Sequence, residues 1–176
     1  MHGFLQTFSD VLFHQLDVSD PASVLYLAQF IKTKFGRLDI LVNNAAILEI
    51  ELEPDATDLL KQVTDLYEMA KECLNINYYG TKSVTETLIP LLQLSLSPNI
   101  VNISALYGQL NFIHTKNIQK ELSEVDDQTE EKIDQMLQKF LNDMKENKLE
   151  ENEWPTQLAA YKVSEVALNT YKLKQI

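Results

Sequence analysis

The fold is decided by the stretch Leu38-Asp39-Ile40-Leu41-Val42-Asn43-Asn44-Ala45-Ala46. A short apolar run without alternation, with Gly36 before it and amides after it, predicts a strand buried on both faces, as in a parallel sheet. In open α/β sheets, ligands bind in the crevice beyond the carboxyl ends of the strands, where small residues let them approach the backbone. We therefore expect the residues at the end of this strand to line a binding site. An asparagine-rich turn without function is the alternative.

The sequence on either side predicts a parallel α/β sheet. Residues Val11–Val18 have the pattern of a strand, and Asp20 followed by Pro21 is typical of a helix start. This helix has an apolar stripe and ends at Gly36, a plausible C-cap. The stripe consists of Val24, Leu27, Ala28, Ile31 and Phe35. A strand, a helix and a second strand form a βαβ unit, whose strands are parallel.

The remaining sequence predicts one more strand and three helical segments. Residues 49–58 are loop by composition, helical periodicity then continues from Leu66 past Gly80 to Leu92, and Asn99–Ala105 predicts a buried strand. Residues 109–155 are strongly acidic, with an amphipathic helix predicted over Asp127–Met144 that begins in a capping box of Asp127 and Glu130. Its apolar stripe is Ile133, Met136, Leu137, Phe140, Leu141 and Met144. A final helix is predicted to begin at Ala159.

Length and composition limit the classes of function. The chain has 176 residues, 45% of them hydrophobic, and a net charge of −11, which favours one soluble domain and argues against nucleic acid or an anionic membrane as a partner. One cysteine, Cys73, excludes an internal disulfide, and the three histidines have no metal-ligand spacing. The N-terminus does not have the pattern of a signal peptide, and no run approaches membrane-spanning length. We therefore expect a cytoplasmic protein without a bound metal.

Three motifs resemble those of the short-chain dehydrogenase/reductases. These are Asn43-Asn44-Ala45-Ala46, Asn77-Tyr78-Tyr79-Gly80 and the tyrosine at Tyr161, and the resemblance runs from about Val11 to the C-terminus. The acidic insert followed by Trp154-Pro155 is similar to the monomeric NADPH-dependent carbonyl reductases, the branch of the salutaridine, menthone and neomenthol reductase-like enzymes. The resemblance implies a Rossmann-like doubly wound parallel sheet, here truncated to about three strands with the amphipathic helix inserted. It also implies NADP(H) as cofactor, a small-molecule carbonyl substrate, and a monomer, because the inserted helix covers the surface used for dimers.

The resemblance also implies roles for individual residues. The adenosine side of the cofactor would contact Leu16, Asp17, Val18, Asn43, Ala45 and Ala46. Tyr161 would be the general acid that protonates the carbonyl oxygen, and Asn77 would hold a water in the proton relay. Ser104 is the candidate for the serine that orients the carbonyl, although alignment through Gly108 places the family's serine at Ala105.

The chain departs from the family pattern at positions that matter for activity. The family's lysine, four residues after the tyrosine, is Glu165, and a carboxylate there disfavours the tyrosinate that an ammonium would stabilise. Successive strand residues point to opposite faces, so Ser104 is not expected to replace a serine at Ala105. The glycine-rich turn that binds the pyrophosphate is missing, since no two of the four glycines are close together. The glycines are Gly3, Gly36, Gly80 and Gly108.

These departures predict a weak or inactive reductase. We expect residues 1–176 to form a single partial domain from the middle of such an enzyme, with residues 1–10 outside the match and 109–155 as the acidic helical insert. A non-catalytic remnant, or an interaction module that uses the acidic helix 127–144, is the alternative function. The truncated sheet predicts that Val11–Val18 either pairs directly with the strand after Gly36 or leaves apolar edges open.

Overall fold

The computed structural model describes residues 11–48, 59–113, 119 and 130–171. Its regular elements are helix α1 (Pro21–Phe35), strand β1 (Ile40–Asn43), helix α2 (Leu59–Leu74), a π-helical segment (Asn75–Gly80), helix α3 (Thr81–Leu92), strand β2 (Asn99–Asn102), 3₁₀ turns at Leu106–Gly108 and Leu110–Phe112, helix α4 (Glu130–Lys145) and helix α5 (Ala159–Thr170). The predicted loop at 49–58, the capping residue Asp127 and the segment 1–10 lie outside the described residues.

The two strands pair in parallel, as the sequence predicted. Ile40 faces Asn99 and Asn43 faces Asn102 at the two ends of the ladder. On one face of the sheet, Leu41 packs with residues of α1 and α3 in an apolar cluster that includes Val24 and Leu88. On the other face, the side chains of Ile40, Val42 and Val101 are exposed, so the prediction of strands buried on both faces is wrong. The predicted strand boundaries are correct to within a few residues.

The first helix begins and ends as the sequence predicted. The Asp20 carboxylate accepts a hydrogen bond from the Ala22 N–H at 3.0 Å, and Pro21 takes the first helical position. Gly36 has φ 78°, and its N–H donates to the carbonyls of Ile31 and Lys32. A left-handed residue at this position favours glycine, so Gly36 ends the helix and turns the chain toward β1.

The predicted long helix is continuous but changes its winding. Helices α2 and α3 are joined by the π-helical segment Asn75–Gly80, which the periodicity did not indicate. A Cβ on Gly80 would lie 2.8 Å from Val18 Cγ2 and 3.1 Å from the Val18 carbonyl oxygen. The predicted small-residue contact at Gly80 is therefore confirmed, because glycine lets the segment before α1 lie directly against the helix.

Helix α4 packs its apolar stripe against the domain. Ile133, Met136, Leu137, Phe140, Leu141 and Met144 are all buried, in one cluster with residues of α2 and α5. Trp154 Nε1 donates to the Asp143 carboxylate at 2.8 Å, and its ring meets the Phe140 ring edge to face at 5.3 Å between centroids. The predicted amphipathic helix is thus confirmed, and its apolar face is buried against other helices of the same chain.

The prediction of a strand over Val11–Val18 is wrong. These residues form no regular element up to a turn at Val18–Ser19, and the described part of the sheet has two strands where about three were expected. A strand needs a hydrogen-bonded neighbour, and this segment contacts α1 and Gly80 without pairing with β1 or β2. Most of its apolar side chains are exposed to solvent, and Phe13 is 92% exposed. Of the two predicted outcomes, pairing with the strand after Gly36 does not occur, and the exposed apolar residues are the outcome observed.

Candidate active site

The candidate site lies at the carboxyl ends of the two strands. Asn43, the last residue of β1, is buried, and its Nδ2 donates to Asn102 Oδ1 at 2.8 Å and to Thr85 Oγ1 at 2.9 Å. The Ile103 N–H donates to the Asn43 carbonyl at 2.8 Å and so extends the ladder by one bond. The Asn43 amide therefore fixes both strand ends to α3. No sequence pattern pointed to Thr85, because its role depends on how α3 packs.

The buried amide of Asn77 ties the loop after β1 to the helices. Its Oδ1 accepts from the Ile47 N–H at 2.8 Å, and its Nδ2 donates to the Ile47 carbonyl at 3.0 Å and to Ser164 Oγ at 3.0 Å. Asn77 lies in the π-helical segment, whose wider winding is common at functional sites. Both ends of the amide are already bonded to the chain.

Glu165 occupies the centre of the site as a buried carboxylate. It is 2% exposed, and its Oε2 accepts hydrogen bonds from Ser104 Oγ at 2.7 Å and from the Ala105 N–H at 2.8 Å. The expected alternation between Ser104 and Ala105 does not apply, because β2 ends at Asn102 and the chain has left the strand geometry. Both residues therefore direct a polar group at the same oxygen, and Glu165 fastens the end of β2 to α5.

Tyr161 lies one helical turn before Glu165 on α5 and is half-buried. Burial raises the pKa of its hydroxyl, and the negative charge of Glu165 raises this pKa further, with smaller effects from Cys73 and Tyr107. A raised pKa favours the protonated phenol. The site thus contains a hydroxyl that can donate a hydrogen bond, in surroundings that oppose its loss of the proton.

A small turn holds Ser104 in place. Asn169 Nδ2 donates to the Gly108 carbonyl at 2.9 Å. A Cβ on Gly108 would lie 2.2 Å from Asn169 Nδ2 and 2.8 Å from Ser104 Oγ, so a side chain at this position would require the Asn169 and Ser104 side chains to move. Asn169 had no signal in the sequence, because it lies two helical turns beyond Tyr161 in an ordinary helical stretch.

The predicted cofactor residues lie in two places. The exposed Asp17 carboxylate accepts from the Ser19 N–H at 2.9 Å and from Ser19 Oγ at 2.7 Å, and these bonds lower the pKa of Asp17. Val18 packs against Gly80, while Ala45 and Ala46 are exposed just after β1. Small exposed residues at this edge would let an adenosine approach the backbone.

The described residues do not fit a whole dinucleotide. A pyrophosphate needs free backbone N–H groups, and the N–H groups of Gly36 and Gly108 are bonded to carbonyls of their own turns. Gly80 is enclosed in the helix against Val18, and Gly3 lies outside the described residues. Glu165 adds a buried negative charge near the tyrosine, which opposes an anionic ligand. The described residues therefore do not fit the pyrophosphate of NADP(H), and adenosine binding by Asp17, Val18, Asn43, Ala45 and Ala46 stays a prediction.

Two parallel strands joined by a helical crossover define a Rossmann-like α/β domain. Polar residues and a tyrosine lie at the carboxyl edge of its sheet. Residues 4–117 match the short chain dehydrogenase family. The sequence is 46% identical to a (+)-neomenthol dehydrogenase of Arabidopsis thaliana over 170 residues, which cover 92% of this chain and 57% of that protein. It is 45% identical to a salutaridine reductase of Papaver somniferum over 187 residues, covering 92% of this chain and 59% of that protein.

Solved structures agree with this assignment. The salutaridine reductase structure from Papaver somniferum superimposes with a TM-score of 0.81 at 44% identity, covering 93% of this chain and 63% of that one. The menthone neomenthol reductase structure from Mentha piperita gives a TM-score of 0.80 at 44% identity, covering 90% of this chain and 63% of that one. This chain therefore belongs to the short-chain dehydrogenase/reductase family, an oxidoreductase family, and spans less than two thirds of the length of these relatives.

Proposed function

We propose that this chain carries the carbonyl-reduction site of an NADPH-dependent reductase in an impaired form, with weak or no turnover. The observation that carries the proposal is the buried Glu165 carboxylate, bonded to Ser104 and Ala105 beside Tyr161. The relatives support the reaction class: a mouse protein 31% identical over 156 residues, covering 89% of this chain and 52% of that one, is named carbonyl reductase [NADPH] 3. The substrate class is a small molecule with a carbonyl group.

Tyr161 is the proposed proton donor to the carbonyl oxygen. In such a role the tyrosine must release its proton, and general acids work best when their pKa lies near the working pH. Here burial and the Glu165 charge both raise the pKa of Tyr161. The proton is therefore held more tightly than in free tyrosine, which slows its transfer.

Ser104 is the second proposed participant, as a hydroxyl near the carbonyl oxygen. Its proton is committed to Glu165 Oε2 at 2.7 Å. A hydroxyl that donates to a buried carboxylate does not donate to a substrate oxygen at the same time, because it has a single proton. We therefore infer that Glu165 suppresses both groups, Tyr161 through its charge and Ser104 through its hydrogen bond.

The alternative function, an interaction module built on the acidic helix, is less well supported. The apolar face of α4 is buried against α2 and α5 and offers nothing to a partner. One of its acidic residues, Glu130, forms an ion pair with Lys82 at 2.8 Å. The packed α4 agrees with the predicted monomer. The cytoplasmic location remains a prediction, and within the described part of the chain no helix is long and apolar enough to span a membrane.

The experiment is a fluorescence titration with NADPH, followed by an assay of carbonyl reduction. The parent is compared with Glu165→Lys, with Glu165→Lys/Ala105→Ser, and with Glu131→Lys as a control that makes the same charge change at an exposed position on α4. We expect weak or no turnover by the parent, and an NADPH affinity at least tenfold higher in both Glu165→Lys variants than in Glu131→Lys. Micromolar NADPH binding and turnover by the parent, unchanged in the Glu165 variants, would contradict the proposal.

A further inference from the structure

Strand β1 has one edge that no described residue pairs with. On its other edge, the carbonyl oxygens of Asp39 and Asn43 accept hydrogen bonds from the chain at β2. The backbone groups of successive strand residues point to opposite sides, so those of Ile40 and Val42 point away from β2. Neither Ile40 nor Val42 has a backbone partner in the described part of the chain, where the sheet consists of β1 and β2. Both residues thus offer an N–H donor and a carbonyl acceptor to a further strand.

A groove of about 900 Å³ is continuous with this edge. Its apolar lining comes from α1 and from the start of β1, and it includes Leu27, Phe30, Ile31, Phe35, Leu38 and Ile40. Leu12 and His14, from the segment before α1, line it as well, and the His14 ring lies 4.7 Å from the Phe30 ring between centroids. Ile40 belongs to the groove and to the unpaired edge, so one extended ligand can occupy both.

The polar side chains at the groove already have partners in the chain. Arg37 Nε donates to the Asp39 carboxylate at 3.0 Å, and His14 Nδ1 donates to the Gln15 carbonyl at 2.7 Å. Phe35 and Ile40 are each 58% exposed, so an occupant with apolar side chains would remove apolar surface from water. The groove therefore favours uncharged, apolar side chains.

We propose that the free edge of β1 binds an extended polypeptide segment as an added strand of the sheet. Its backbone pairs with Ile40 and Val42, and every second side chain is apolar and enters the groove beside α1. Addition of a strand to an exposed sheet edge is an established mode of peptide recognition, in which backbone bonds give affinity and pockets select alternate side chains. A small apolar molecule would fill the groove and leave the backbone groups of β1 unpaired. The inference goes beyond the proposed reductase function, because Tyr161, Ser104 and Glu165 do not line this groove.

The test is a binding titration by fluorescence anisotropy, with a short fluorescein-labelled peptide in which valine and threonine alternate between two terminal lysines. Two further peptides have the same sequence, with the backbone nitrogens of all the valines methylated in one and those of all the threonines methylated in the other. Alternate N–H groups of a strand point to opposite sides, so one methylated peptide loses the donors that face β1 and the other loses those that face away. Each is therefore a control for the other at the same charge.

The proteins are the parent, Phe35→Ala and Phe13→Ala. Phe35 lines the groove, whereas Phe13 does not line it and is 92% exposed. Both substitutions remove the same side chain from an exposed position, so they separate contact with the groove from a general loss of apolar surface.

We expect the parent to bind the unmethylated peptide and one methylated peptide equally well, and the other methylated peptide at least tenfold more weakly. Phe35→Ala should weaken binding of the unmethylated peptide at least fivefold, and Phe13→Ala should leave it unchanged. Equal affinities of the parent for all three peptides would overturn the proposal, since binding would then not use the backbone of β1. No binding of the unmethylated peptide would overturn it as well.

The oligomeric state distinguishes a second copy of this chain as the occupant. Sedimentation of the parent as a dimer and of Phe35→Ala as a monomer would assign the groove to a second copy and overturn the proposal. We expect all three proteins to sediment as monomers in the absence of peptide. None of these results depends on the NADPH titration, so this proposal and the proposed function fail independently.

Discussion

Removing the Ser104 hydroxyl should destabilise the domain, because this hydroxyl donates to a buried charge. The bond to Glu165 Oε2 is 2.7 Å long, and Glu165 is 2% exposed. Hydrogen bonds to charged groups contribute about 1.5–3 kcal/mol. Ser104 is itself exposed, so water can replace part of the bond, and we expect the lower end of this range. Ser104→Ala should therefore lower the free energy of unfolding by about 1.5 kcal/mol, or Tm by about 3–6 °C for a chain of this size.

A second serine–carboxylate pair provides the control. Ser95 Oγ donates to Asp39, and this pair is exposed to solvent. Ser95→Ala should therefore change stability much less, since exposed pairs are replaced by water at little cost. The assay is urea unfolding followed by the fluorescence of Trp154, the single tryptophan, which is buried against α4.

A double-mutant cycle tests the same bond directly. In a Glu165→Gln background the acceptor is neutral, so Ser104→Ala should cost less than it does in the parent. Equal costs in the two backgrounds, or equal effects of Ser104→Ala and Ser95→Ala, would show that the buried carboxylate does not strengthen this hydrogen bond.

Three further predictions concern packing and pH. Gly80→Ala should lower the free energy of unfolding by about 1–3 kcal/mol, because its Cβ would lie 2.8 Å from Val18 Cγ2, and Val18→Ala should recover part of this loss in urea unfolding. Phe140→Ala should cost about 3–5 kcal/mol, since Phe140 is fully buried, whereas Phe13→Ala at a 92% exposed position should have no measurable effect in the same assay. Burial raises the pKa of Asp143, but hydrogen bonds from Lys139 and Trp154 outweigh it and leave the pKa below its ordinary value of 3.8. The stability that these bonds to the Asp143 carboxylate contribute is therefore fully present above pH 4 and is lost as pH falls through the lowered pKa of Asp143. Asp143→Asn should flatten the acid side of a plot of Tm against pH. A plot with the same acid side as that of the parent would contradict this expectation.

The local signals in the sequence predicted most of the helices. Asp20, Pro21 and Gly36 fixed the bounds of α1, because capping depends on neighbouring residues only. The parallel orientation and the two apolar runs that form β1 and β2 were also predicted, whereas the sequence did not indicate that these two strands pair with each other. Val11–Val18 was mispredicted since its apolar pattern is compatible with a strand, and strand formation depends on a neighbour that no local pattern reveals.

The site was predicted less completely than the fold. The positions of Tyr161, Asn77 and Glu165 along the chain were recognisable, whereas the bonds that Glu165 makes with Ser104 and the Ala105 N–H depend on how the end of β2 meets α5. The π-helical winding at Asn75–Gly80 was hidden, because it adds a bulge without changing the apolar periodicity. The contacts of Thr85 and Asn169 arise from packing between distant segments, and nothing in their local sequence marks them.

Burial and the negative charge of Glu165 together raise the pKa of Tyr161 and so hold the proton on its hydroxyl. The most direct measurement is a pH titration of tyrosinate absorbance in the parent, in Glu165→Gln and in Glu165→Lys. For each protein, the absorbance of the matching variant that also carries Tyr161→Phe is subtracted, which removes the signal of the other tyrosines. We expect the pKa of Tyr161 to be highest in the parent, lower with glutamine and lowest with lysine, since the local charge changes from negative to neutral to positive. A Tyr161 pKa that is the same in all three proteins would contradict it.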